Sequence, residues 1–388
     1  MRYLRQAASA LLIAAVGGAT LVLTGAGTAA AAGTSSPWPM AMHDAAHSAT
    51  SSAVGPRTGT ILWTRDLGGN VTPGPVVGAD GTIYLASNAG VLHALDPATG
   101  ADRWTFDGGG PFRGETDLST SPLVLPSGSI LWPGPGHVLH EVSSDGADLW
   151  SHTFTGNLLS PVRVGSTVYV VSASGTVSAL RVDGPVPEVA WTLDIGHRSF
   201  GSPVVGHDGQ VVTTVDRSVV AVADHGTHGG VSWRHALDSD VEVSPSLDAR
   251  GDVFVTTNGA SVYAYSPGGH LLWHERVGAE SYSSSSVASG RLLVFGDNQG
   301  VLHELATSTG HQVAHHRVAT HGLWAGQAVD RNGDVYVGTQ SGTIVGLGTG
   351  GNQLFRVQAD GPFDSYPAIT GTGVLIVGDQ SGRVYAIG

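Results

Sequence analysis

Phe200, Glu242, Tyr282, Trp324 and Asp364 recur at intervals of roughly 40 residues, each three residues before a proline or the residue that stands in for it. Aromatic rings interleaved with carboxylates can stack on a sugar ring or hold a cationic group. Arg198 and His321 stand close to this set in sequence, as do His197 and Glu280. The same side chains would equally serve to plug a channel or cover a core. A second candidate patch is the segment GGGPFRGETDLSTS, residues 108–121, which carries Phe112, Arg113, Glu115 and Asp117. It is the longest stretch of its kind, and long loops more often carry function.

Other chemistries have weaker support. Glu115, Glu242 and Glu280 are the carboxylates to test for glycoside or lyase chemistry, because separate loops can converge. His43, Asp44 and His47, and separately His311, His315, His316 and His321, have metal-compatible spacing, but ligation needs convergence that spacing alone does not give. With 18 His in the chain, chance clustering explains both groups, and no metal site is expected. The run Asp330-Arg331-Asn332-Gly333-Asp334 resembles a Ca²⁺ loop superficially, yet Asp248-Ala249-Arg250-Gly251-Asp252 repeats it between two apolar runs, as a hairpin turn would. There is no Cys, and all 18 basic residues are Arg. That excludes thiolate and Schiff-base nucleophiles, disulfides and a Walker-type loop. No G-x-S-x-G elbow is present.

The elements that would position these residues are legible as a repeat. Trp63, Trp104, Trp150, Trp191, Trp233 and Trp273 each follow a glycine-centred turn, and Ala314 and Phe355 continue the register. A Ser-Pro marker or a variant opens each unit: Gly74-Pro75, Ser121-Pro122, Ser160-Pro161, Ser202-Pro203, Ser244-Pro245, Ser285, Gln327 and Tyr366-Pro367. Segments such as PVVGADGTIYLAS and QAVDRNGDVYVGT alternate β-branched and aromatic residues around a Gly turn, which is a hairpin signal. A third strand (GVLHAL, GTVSAL, GRVYAI) and a fourth bearing the Trp position complete each unit. Four short antiparallel strands in about 40 residues make one propeller blade. The fold class is therefore all-β, an eight-bladed β-propeller of four-stranded antiparallel blades. The chain ends after a third strand, so the N-terminal strand 61–67 is expected to complete the last blade and leave the ring closed.

Within this repeat, Ala94-Leu95-Asp96-Pro97-Ala98-Thr99-Gly100-Ala101-Asp102-Arg103-Trp104 follows the pattern A-x-D-x-x-T-G-x-x-x-W, which resembles the tryptophan-docking motif of quinoproteins. From about residue 61 to 388 the chain resembles secreted PQQ-like β-propeller repeat proteins. That family includes PQQ-dependent alcohol dehydrogenases and the propeller lipoprotein of the outer-membrane β-barrel assembly machinery. Residues 38–49, WPMAMHDAAHSA, also look like the lead-in of such chains. For the dehydrogenases the resemblance implies PQQ with Ca²⁺, a vicinal disulfide and an Asp base. This chain has no Cys and no Glu, Asn and Asp set that maps onto that site, so neither PQQ with Ca²⁺ nor another cofactor is expected. It also lacks a Cys to acylate, as the lipoprotein role would require. In physical terms the motif is structural: Asp96 accepts turn N–H bonds, Gly100 takes φ > 0, and Trp104 packs on the next blade.

The expected organisation is a signal peptide over 1–32, a lead-in segment over 33–60 and the propeller over 61–388. Arg2 and Arg5, an apolar run from Ala7 to Leu23 and the small residues ending at Ala32 fit a cleaved secretory leader; an uncleaved anchor is the alternative. The formal net charge of −13 argues against nucleic acid and anionic lipid as partners. The function expected is that of a secreted, monomeric, non-catalytic binding module, with an extracellular glycan or peptide ligand, or a protein, over the central channel. The competing class is a PQQ-dependent or carbohydrate-active enzyme using the same face.

Overall fold

The structure, a computed structural model, describes residues 36–113 and 120–388. Their strands form eight four-stranded antiparallel sheets. We number the blades in chain order: blade 1 (76–107), blade 2 (123–153), blade 3 (162–194), blade 4 (204–236), blade 5 (246–276), blade 6 (286–317), blade 7 (327–358) and blade 8 (368–387 with 61–66). In each, the innermost strand is a short piece of two or three residues directly after the marker.

The burial patterns follow from this stacking. Second strands such as Ile83–Ser87 and Thr167–Val171 are buried at every position, because a neighbouring blade covers each face. The outer strand Asp102–Asp107 alternates half-buried and exposed, which suits a sheet edge in solvent. The first hairpin of several blades turns on an aspartate. Asp330 Oδ1 accepts the N–H groups of Asn332 and Asp334, and Asp248 Oδ1 those of Arg250 and Asp252. The Ca²⁺-like runs are thus Asx turns.

The ring closes as the truncated last repeat requires. Ile61–Asp66 pairs antiparallel with Arg383–Ile387, with Thr64 opposite Tyr385, and Thr60 and Gly388 exchange backbone hydrogen bonds. Between blades, most outer-strand rings cover a glycine of the next blade. Trp63 lies over Gly100, Trp104 over Gly146, Trp191 over Gly229, Trp233 over Gly269 and Trp273 over Gly310. The indole N–H groups of Trp63, Trp104, Trp233 and Trp273 donate to the carbonyls of Pro97, Ser144, Pro267 and Thr307. Asp96 Oδ1 accepts from the N–H groups of Ala98 and Thr99, so the motif builds a socket for the preceding blade's Trp. Where blade 6 has Ala314, His316 covers Gly351 instead, and Phe355 covers Gly59 of the closing blade.

The lead-in is part of the propeller body. Carbonyls of Trp38, Pro39, Ala45, Ala46 and Ala49 accept the N–H groups of Val77, Val124, Val205, Leu247 and Val329, all at the far end of innermost strands. The segment therefore crosses that end of the channel from blade 1 to blade 7. Trp38 and Met42 are buried beneath it, Gly55 N–H donates to Asp330, and Arg57 pairs with Asp334 at 2.7 Å.

Candidate functional site

The loops that run from one blade to the next precede the innermost strands, at the end of the channel opposite the lead-in. They are held by a repeated contact. The N–H of Asn88, Ala173, Asp216, Asn258, Asn298, Gln340 and Gln380, each in the turn between second and third strands, donates to a carbonyl of the loop entering the same blade. Below them runs a belt of marker serines. The N–H of Ser121 donates to Ser160 Oγ, Ser160 to Ser202, Ser202 to Ser244 and Ser244 to Ser284, over 2.9–3.2 Å. Blade 8 carries Tyr366 at this position. Its ring passes close over Gly326, where a Cβ would collide with it, and its hydroxyl meets Ser284 Oγ at 2.9 Å. Burial raises the phenol's pKa, so it stays protonated.

At the mouth above this belt, Trp324 is 44% exposed, yet it is held on two sides. Its Nε1 donates to Asn298 Oδ1 at 2.7 Å, and Tyr282 meets it edge-on with ring centroids 5.9 Å apart. Burial, with Glu280 and Glu242 nearby, raises the pKa of Tyr282. Glu242, exposed, thus shares one electrostatic neighbourhood with Tyr282, and Glu280 is anchored by Asn298 Nδ2 at 3.3 Å. These four residues form an aromatic shelf with a carboxylate rim.

The remaining predicted residues sit apart. Phe200 is half-buried under the Arg198 guanidinium, 5.0 Å from the ring centroid. Asp364 is half-buried, with one oxygen on Gln340 Nε2 at 2.6 Å and the other on Gln380 Nε2. His321 is exposed and bonds Thr320 Oγ1 at 3.0 Å. In the second patch Phe112 packs edge-on against Trp132 at 6.3 Å, while Arg113 is exposed. Glu115 and Asp117 lie outside the described residues. Among the described residues no three His, Asp or Glu side chains converge as metal ligands. His43 bonds Asp44, buried His47 faces the Pro245 carbonyl, and His315 bonds Gln312.

The opposite end of the channel holds a cavity of about 590 Å³. It opens between lead-in residues Asp44–Thr50 and the innermost strands of blades 3 to 6, and most of its lining is aliphatic or backbone.

The sequence-family model described as outer membrane protein assembly factor BamB matches residues 48–127 and 134–228, across the lead-in and the first four blades. The fold also matches that of the quinohemoprotein alcohol dehydrogenase from Comamonas testosteroni, with a TM-score of 0.70 at 13% identity over 90% of this chain and 80% of that one. This chain is an eight-bladed β-propeller similar to PQQ-like repeat proteins.

Curated relatives of this PQQ-like propeller include the outer membrane protein assembly factor BamB of Shewanella oneidensis, 25% identical over 324 residues, covering 68% of this chain and 81% of that protein. BamB of Yersinia pestis is 23% identical over 301 residues, and the match covers 74% of this chain but only 63% of the relative. The crystal structure of BamB from Moraxella catarrhalis aligns with a TM-score of 0.65 at 14% identity, over 85% of this chain and 99% of that one. Likenesses at this identity carry the fold alone, since one architecture serves an assembly factor and a dehydrogenase.

Two features of the PQQ-like propeller escape a reading of single blades. The amides that support the mouth, Asn298, Gln340 and Gln380, all stand two residues before a turn glycine, as Asn88 does. Aligning the turns as well as the markers would have found them. The serine belt was visible as the letter before each proline, but its bonds join residues about 40 positions apart.

Proposed function

We propose that this PQQ-like propeller is a non-catalytic interaction module that works outside the cytoplasm and binds a cationic, exposed segment of a partner protein at its mouth. The observation that carries this reading is Trp324: a large exposed ring fixed by Asn298, which also holds Glu280, and by Tyr282, whose phenol feels the charges of Glu280 and Glu242. A pre-positioned indole with acidic neighbours suits an arginine or lysine side chain, which gains from the ring face and the negative rim together.

A protein partner accords with the relatives, which are named as assembly factors. A location beyond the cytoplasmic membrane accords with the leader-like residues 1–32 and with the outer membrane in the relatives' name. A glycan stacked on Trp324 is the second ligand this shelf suits. Quinone chemistry fits the mouth poorly. Both oxygens of Asp364 are taken up by glutamines, and Tyr366 lies across the serine belt, which speaks against a cation-and-quinone site at these residues.

The test is a pull-down of cell-envelope fractions with the mature protein, its Trp324→Ala and Phe200→Ala variants, and a Glu242→Gln/Glu280→Gln double variant. Trp324→Ala should lose the partner, and the double variant should weaken it and flatten the salt dependence. Retention of the partner by Trp324→Ala, with folding unchanged, would sink the reading. Loss on Trp324→Ala with no effect of the double variant would favour the glycan.

A further inference from the structure

The lead-in shows how this channel accepts a strand. Its carbonyls cap the N–H groups two residues after the marker proline in blades 1, 2, 4, 5 and 7. In blades 3, 6 and 8 the equivalent residues are Arg163, Val287 and Ile369, of which only Arg163 and Val287 line the cavity at this end of the channel. The register of these two repeats that of the other blades, with Arg163 opposite Val168 and Val287 opposite Leu293, as Val77 is opposite Ile83. Their N–H groups therefore face the channel, and no lead-in carbonyl among the described residues reaches them. Both residues line the 590 Å³ cavity.

Arg163 stands out a second time. At its repeat position the other seven blades carry Val77, Val124, Val205, Leu247, Val287, Val329 and Ile369. Only blade 3 breaks this aliphatic set with a charge. The guanidinium is half-buried, bonds the Gly165 carbonyl, and forms no ion pair among the described residues. The carboxylates that line the cavity are committed elsewhere: Asp44 to His43 and Ser48, Asp248 to Arg250 and the turn. Burial lowers the guanidinium's pKa, as expected for a desolvated cation without a counter-charge.

We propose that this cavity is a second binding site, at the other end of the channel from the mouth, and that it takes an extended peptide strand of a partner protein. Carbonyls of the strand accept from the N–H groups of Arg163 and Val287, continuing the pairing the lead-in begins. An apolar side chain fills the cavity, and a carboxylate of the peptide pairs with Arg163. The free N–H donors favour a peptide over a fatty acid, which could use the apolar lining and the cation but not both amides.

The probe is the capped peptide acetyl-Ala-Val-Leu-Val-Asp-amide, titrated into the mature full-length protein, with its Asn analogue and decanoate as comparison arms. Binding is followed by calorimetry, and amide hydrogen exchange is read at residues 162–164 and 286–288. The Asp peptide should bind saturably and slow exchange at both strands. The Asn peptide should bind about tenfold more weakly, as should the Arg163→Val variant, because a charge-assisted hydrogen bond is lost. Arg163→Val installs the residue type of the other blades, so it should fold. Ala249→Trp, at an exposed turn on the cavity rim, should abolish binding. Trp324→Ala should leave it unchanged, which separates this site from the mouth. No saturable binding at millimolar peptide, equal binding by Arg163→Val, or decanoate binding that slows the same two strands would each overturn the proposal.

Discussion

Acidification should loosen the propeller through one histidine of the lead-in. His47 is 2% exposed, and its Nδ1 lies 3.2 Å from the Pro245 carbonyl. Burial lowers its pKa from 6.5 to about 4, against the smaller upward pull of Asp44 and of the Pro245 bond. Between pH 6.5 and 4 the unfolded chain binds a proton that the folded chain refuses, so stability falls as pH falls through that window and is fully present above it. Integrating between these two pKa values, the step from pH 7 to pH 5 removes about 2 kcal/mol. The other histidines also contribute, so the comparison must be with a variant. His47→Asn suits the left-handed backbone there, φ 55°, and keeps a donor for the carbonyl. Urea unfolding at pH 7, 6 and 5 should show the wild type losing about 2 kcal/mol more than His47→Asn over that range. Parallel pH profiles for the two proteins would refute the reasoning.

Two further predictions test the packing between blades. Gly100 has φ +70°, and a Cβ there would run into the Trp63 ring, so Gly100→Ala should destabilise by about 2–5 kcal/mol through backbone strain and overpacking together; the change in denaturation midpoint at constant slope measures it. Tyr366→Phe keeps the ring over Gly326 but removes the hydroxyl that meets Ser284, and should cost about 1 kcal/mol by the same assay.

The parts of this structure that were legible in the sequence are those set by short-range chemistry. A turn glycine and an outer-strand Trp recur because each blade needs a socket and a plug, so counting Trp104, Trp191 and Trp273 with their glycines counted the blades. The closing strand followed from the missing Trp strand after Ile387. The course of the lead-in was not legible, because it is held by its own backbone carbonyls against strands as much as 280 residues away, and a carbonyl leaves no letter in the sequence. At the mouth, the positions three before the proline aligned Tyr282 with Trp324. Nothing in that alignment said that Asp364 would be occupied by two glutamines, or that Phe112 would pack against Trp132. Arg163 was visible as the odd residue in its column, but its meaning depends on which neighbouring N–H groups the lead-in leaves uncapped.

Closure by the segment Ile61–Asp66 also sets an order of events in synthesis. Blades 1 to 7 can each fold on contacts within about 40 residues of chain as they emerge. The closing segment's partner, Arg383–Ile387, emerges only after all seven of these blades. Until then the first and seventh blades each present an uncovered flank, and Phe355 has no Gly59 to rest on. A chain lacking only Arg383–Ile387 would remain an open, sticky arc, so the shut circle itself reports that this one pairing has formed.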